Sequence, residues 1–299
     1  TATSTKSAAP ALPARPQTLQ LVSSRRLPAP VQLPGMATAG GTTILAGGLN
    51  AADASVSDVV RAAPGAPARV GALPVAVHDV GAAALGSSTY LFGGGTASGP
   101  VSSITRVDAR GRTSAAGGLP LAISDATAVA LGGSIYVIGG FSATTPQRAV
   151  LRFTPGGGVR KVADLPHPVR YAAAAAVGGR LLVAGGTDGT TARREVVEVD
   201  PSGGRVRVIG RLPTSLAHAA GVAVGGTFFV LGGRGDSPNS QSDSILAVDP
   251  RRGGVSPGGQ LPFGLSDLSA AVSGGRALVA GGRDPSGAVH DELLVMRAR

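Results

Sequence analysis

The chain has no cysteine, no tryptophan and only two lysines, Lys6 and Lys161, among 299 residues. Without cysteine it forms neither a disulfide framework nor a thiolate-ligated metal site. Glutamate is confined to Glu195, Glu198 and Glu292, so carboxylate chemistry must come almost wholly from aspartate. Aromatic residues make up 3% of the chain, too few to interleave with basic side chains as a base-stacking nucleic-acid surface requires. No apolar run reaches the roughly 20 residues of a membrane-spanning helix. Nor is there a Ser-His-Asp order, a His-x-x-x-His spacing or a phosphate-cradling glycine loop.

What is present is arginine, alanine, glycine and proline. The net charge of +10 is carried almost entirely by arginine, and such a surface attracts anionic partners. The arginines are scattered rather than blocked and rise together with Ala, Gly and Pro, as a GC-rich coding sequence would produce, so nucleic acid is not expected. Residues 1–16 (TATSTKSAAPALPARP) have the composition of a linker or tail rather than of a packed core. A mature chain that has lost a signal peptide or anchor begins in this way, which sets the expectation of an extracytoplasmic protein.

Residues 17–299 repeat. A Gly-Gly doublet closes an apolar run six times, with first glycines at 47, 93, 139, 185, 232 and 281, spaced by 46, 46, 46, 47 and 49. A Leu-Pro pair starts at 27, 73, 119, 165, 212 and 261, each Leu 20 residues before its doublet. Two markers held in one register six times define a repeat architecture. Within the third repeat the apolar and turn residues predict strands over 123–131, 134–138, 148–153 and 159–164. In the fourth repeat the first strand reads YAAAAAV. Alanine favours helix in isolation, but the same column elsewhere reads GAAAL and GVAV, so a strand of small residues near a crowded centre is expected.

Four short strands per repeat of this length indicate the blades of a β-propeller. The doublet ending the second strand, followed by a polar loop and an apolar third strand, resembles the kelch repeat, and the resemblance covers residues 18–299. Where kelch blades usually carry Tyr and Trp after the doublet, this chain has aliphatic strands such as VVRAA, REVVEV and DELLVM. The expected fold is all-β, a six-bladed kelch-type propeller with four antiparallel strands per blade. The last repeat stops within its third strand, and a spare strand-like piece lies at 18–23. The spare piece is expected to complete the last blade and close the ring, removing an open edge.

In that arrangement the Leu-Pro crossovers and the loops after the doublets share one rim. Six residues after each Leu of Leu-Pro stand Leu33, Asp79, Asp125, Tyr171, His218 and Asp267, preceded by Gln32, His78, Ser124, Arg170, Ala217 and Ser266. Both columns begin the innermost strands at the mouth of the central channel. His78, Asp79, Asp125, Arg170, Tyr171, His218 and Asp267 are therefore candidate ligand-binding residues, with Arg234, Asp236, Arg283 and Asp284 added from the loops after the doublets. An alternative is that the column ties neighbouring blades together by hydrogen bonds. No catalytic residue, metal site or cofactor is assigned.

The resemblance admits two uses of such a rim. One is a non-catalytic module binding a protein, an anionic glycan or a small ligand. The other is a small-molecule enzyme in the channel mouth, similar to the bacterial N-acetylneuraminate epimerases. Kelch-type copper oxidases need a cross-linked cysteine, which this chain lacks. Arg234-Gly235-Asp236-Ser237-Pro238 resembles the cell-binding loop of fibronectin. Yet Gly232-Gly233 is the fifth doublet, and its loop has counterparts in TDGTTA and RDPSGA, so the string reads as that blade's variable, exposed loop.

Overall fold

The computed structural model describes residues 17–299, and the expected tail at 1–16 lies outside them. These residues form six four-stranded antiparallel sheets and two small two-stranded ribbons. Blade 1 consists of Gly35–Ala39, Thr42–Ala46, Asp58–Ala63 and Ala68–Ala72. Blade 3 consists of Thr127–Leu131, Ser134–Ile138, Ala149–Thr154 and Gly158–Asp164. Blades 2, 4 and 5 repeat the plan, with inner strands Gly81–Leu85, Ala173–Val177 and Ala220–Val224. Blade 6 takes Ser269–Ser273, Arg276–Ala280 and Glu292–Ala298 from the end of the chain and Leu19–Arg26 from its beginning. The chain is thus a six-bladed all-β propeller closed by its N-terminal strand.

Each strand's place in the blade follows from its side chains. The inner strands hold small residues because six of them converge on one axis; YAAAAAV indeed supplies the strand Ala173–Val177. The second strands are buried on both faces, as in Ser88–Phe92 and Thr227–Leu231, and read as continuous apolar runs. Inner and second strands are joined by two-residue turns, and in every blade but the second both positions have positive φ, for instance Gly132 at 57° and Gly133 at 76°. That is the hairpin turn whose twist suits flanking strands, and glycine adopts it without strain. The inner strand of blade 3 starts at Thr127 rather than 123, because residues 123–126 leave the sheet to form a turn at the channel mouth.

The doublets hold the blades together. In each, the second glycine donates its N–H to the carbonyl of the residue four after the next blade's Leu: Gly48 to Val77 at 2.8 Å, Gly140 to Val169 at 2.8 Å, Gly233 to Leu265 at 2.7 Å. Gly282 donates to Val31 at 2.9 Å and so joins the last blade to the first. A Cβ on the first glycine would lie 2.5 Å from that same carbonyl oxygen at Gly47, and nearer still at the other five. The two sequence markers keep one register because they meet physically between adjacent blades. Closure adds a ladder from Leu19↔Ala298 to Arg26↔Glu292, with an irregularity between Leu21 and Ser23. Leu19 is buried against Leu261, Leu294 and Met296 of blades 5 and 6.

Candidate functional site

The channel mouth is built on a ring of backbone. Leu33, Asp79, Asp125, Tyr171, His218 and Asp267 all have φ between 52° and 61°, a left-handed conformation that non-glycine residues adopt at a cost of about 1–2 kcal/mol each. The reward is a closed circuit. Asp79 N–H donates to Leu33 O, Asp125 to Asp79, Tyr171 to Asp125, His218 to Tyr171, Asp267 to His218 and Leu33 to Asp267, all at 2.7–3.0 Å. Each residue just before the ring pairs in an antiparallel bridge with the residue just after its own blade's doublet: His78 with Gly95, Ser124 with Phe141, Arg170 with Thr187, Ala217 with Arg234, Ser266 with Arg283. These bridges bring the loops after the doublets to the channel mouth.

Two side-chain networks result. In the first, His218 Nδ1 lies 2.5 Å from Asp267 Oδ1, and Arg234 Nη2 lies 2.9 Å from His218 Nε2. Arginine can only donate, so Nε2 accepts and Nδ1 carries the proton given to Asp267. Burial pushes the Asp267 carboxyl up, but His218, Ser266 and Arg234 together outweigh it and hold it below the usual range. In the second network, Arg170 Nη2 lies 2.5 Å from Asp125 Oδ2 and 2.9 Å from the Tyr171 hydroxyl, which donates to Asp79 Oδ2 at 3.3 Å. The Arg170 guanidinium stacks over Phe141 at 4.4 Å. Burial raises the carboxyls of Asp79 and Asp125, and for Asp79 repulsion from Asp125 and Asp267 adds to it. Burial, with the two nearby carboxylates, also raises the Tyr171 phenol. The networks touch where Tyr171 stacks on His218, ring centroids 3.7 Å apart.

Two cavities share that aromatic pair. A cavity of about 150 Å³ fills the channel mouth, with Asp79, Asp125, Tyr171, His218 and Asp267 at the ring and small side chains such as Ala82, Ala128 and Ala174 below. A cleft of about 250 Å³ lies on the rim between blades 4 and 5, lined by Arg170, Thr187, Thr190, Ala192, Arg234 and Asp236. The Arg-Gly-Asp string forms one wall of this cleft. Its Asp236 accepts from the Ala192 N–H at 2.7 Å and its Arg234 is joined to His218, so both charged ends are fastened to the propeller.

Arg283 and Asp284 lie elsewhere on the rim. Arg283 faces Asp53 of blade 1 at 3.5 Å. Asp284 folds its own loop by accepting from Ser286 and Ala288 and from His290. Ser286 is the largest of the causes that bring its carboxyl down to about 2. His78 contacts Ser55 at 2.8 Å and stands 3.7 Å from Asp79. Phe141, part of the mouth, was not singled out from sequence, and Ser266 was placed in its column without being made a candidate. The position directly after a doublet identifies Phe141 once the bridge to the preceding column is known. Among the described residues no group of three or more His, Asp or Glu is arranged to hold a metal ion, and no helix is long and apolar enough to cross a membrane.

The family model of the kelch motif matches residues 122–159, which run from the crossover into blade 3 through its third strand. No curated protein matches the chain.

Proposed function

We propose that this six-bladed β-propeller, whose third blade matches the kelch motif, is a non-catalytic, extracytoplasmic binding module that receives an anionic partner on its rim. The observation that carries this reading is the division of labour among the charged groups. Asp125 and Asp267 are occupied by Arg170 and His218, so they are held as parts of the ring rather than poised as a free acid and base over one point. Arg234 lines the cleft between blades 4 and 5, and among the described residues its side chain has one hydrogen bond, from Nη2 to His218. A guanidinium with free donors beside Thr190 suits a carboxylate or sulfate. The net charge of +10 would draw such a partner in from a distance.

The test is calorimetry with a heparin oligosaccharide and with polyglutamate. Arg234→Ala is expected to weaken binding of at least one of them about tenfold, the loss of one charge-assisted hydrogen bond. Arg205→Ala, beside the turn of blade 4 on the opposite face, removes the same charge and is expected to change it little. Equal losses from the two substitutions would mean that only overall charge attracts the polyanion, and the rim reading would fail.

A further inference from the structure

We propose that the channel mouth receives a primary ammonium group, with Asp79 as its counter-ion. This rests on the reading of the rim face as a binding surface and adds a second site to it, of opposite charge to the Arg234 cleft. Three carboxylates enter the ring, and two are occupied. Asp267 is bound by His218 and by Ser266, each at 2.5 Å. Asp125 has a counter-ion, Arg170 Nη2 lying 2.5 Å from its Oδ2, although no hydrogen bond forms there. Asp79 is the one left over. Its Oδ2 has a single long contact with Tyr171, the nearest His78 nitrogen is 3.7 Å away, and its Oδ1 is buried with no partner.

The Asp79 side chain is only 6% exposed, and it borders the 150 Å³ channel cavity. A buried polar oxygen without a partner costs about 1–3 kcal/mol, more when charged. A donor entering the cavity and reaching the carboxylate removes that cost. The geometry of the Asp79 carboxylate selects among cations. One free carboxylate oxygen cannot meet the two parallel bonds of a guanidinium, whereas an ammonium needs single acceptors. No group of three or more His, Asp or Glu is arranged for a metal among the described residues. Below the carboxylates, Met36, Ala82, Ala128 and Ala174 line the cavity, a wall for an alkyl stem. The ligand is therefore an aliphatic primary amine, either a free small molecule or the side chain of a lysine on a partner.

The experiment uses the whole chain and calorimetry with n-butylammonium chloride, n-butanol at equal concentration, and a short acetylated, amidated peptide containing one lysine. Saturable binding of n-butylammonium identifies a small amine as a sufficient ligand, and binding of the peptide alone identifies a partner's lysine. In either case Asp79→Asn, which keeps the shape and removes the charge, is expected to weaken binding at least tenfold. Because burial and the neighbouring carboxylates favour the protonated acid, the ammonium displaces a proton to solvent. The measured heat should then vary with the ionisation heat of the buffer, and affinity should rise with pH. The titratable and charged groups facing Asp79 are His78, Asp125, Arg170, Tyr171 and Asp267. Absence of binding by both amines, equal binding of n-butanol, or unchanged binding by Asp79→Asn would each overturn the proposal. A protein that binds a polyanion through Arg234 but no amine would keep the rim reading and lose this one.

Discussion

The N-terminal strand closes the ring, and its contribution can be separated from that of its neighbours on the same strand. Leu19 is 2% exposed and packed between blades 5 and 6, whereas Leu21, two residues on, is 45% exposed. Both are paired in the ladder with Glu292–Ala298, Leu21 at the edge of its irregularity, so the chief difference between them is burial. Leu19→Ala removes buried methyl groups and leaves a cavity at the seam, for a loss of about 3 kcal/mol within the 2–5 range of such substitutions. In a chain of this length, about 3 kcal/mol corresponds to a fall in Tm of roughly 6 °C. Leu21→Ala is expected to change stability by no more than about 0.5 kcal/mol. Differential scanning calorimetry on the two variants and the parent measures both. Equal melting temperatures for the two would show that the strand does not seal the ring through Leu19, and the closure argument would fail.

Three further outcomes follow from the same contacts. Gly139→Ala places a Cβ against the Val169 carbonyl and is expected to destabilise by several kcal/mol; Gly133→Ala, also at positive φ but facing open space, should cost only the backbone strain of about 1 kcal/mol. Urea denaturation of the pair reads the difference. Arg170→Ala leaves the buried Asp125 carboxylate without its cation and should cost about 3 kcal/mol, most of it recovered in the double substitution with Asp125→Ala; an additive loss in the thermal melts would contradict this. Burial and the neighbouring carboxylates raise the pKa of Asp79 in the folded state, so it favours folding below the unfolded aspartate value near 3.8, and that advantage is lost as pH rises through the folded value. Asp79→Asn should therefore gain in Tm over the parent as pH is raised from 3 to neutrality, while a constant difference would refute the assignment.

The architecture was legible in the sequence because its two markers are the two halves of one contact: the doublet and the Leu-Pro crossover meet between blades. The second strand at 134–138 was placed to the residue. The closing strand was expected at 18–23 and runs over Leu19–Arg26, its extra length following the ladder to Glu292. The left-handed ring was not legible, since Leu33, Tyr171 and three aspartates carry no glycine-like signature of positive φ. Spacing brought His78, Asp79, Asp125, Arg170, Tyr171, His218 and Asp267 to the mouth, but not who meets whom. His218 reaches the next blade's Asp267, while Tyr171 reaches Asp79 from two blades away. Such pairings depend on side-chain reach across the axis, and the one-dimensional repeat does not encode it. The same holds for Asp236, whose bond to Ala192 crosses from blade 5 to blade 4.

The face used for binding is tested most directly by hydrogen exchange, followed by mass spectrometry, on the protein with and without the heparin oligosaccharide. The account predicts added protection in segments 187–193 and 234–241 and in the crossover at 214–219, all on the rim beside Arg234. Protection confined to the opposite turns at 155–158 and 201–205, with the rim unchanged, would contradict it.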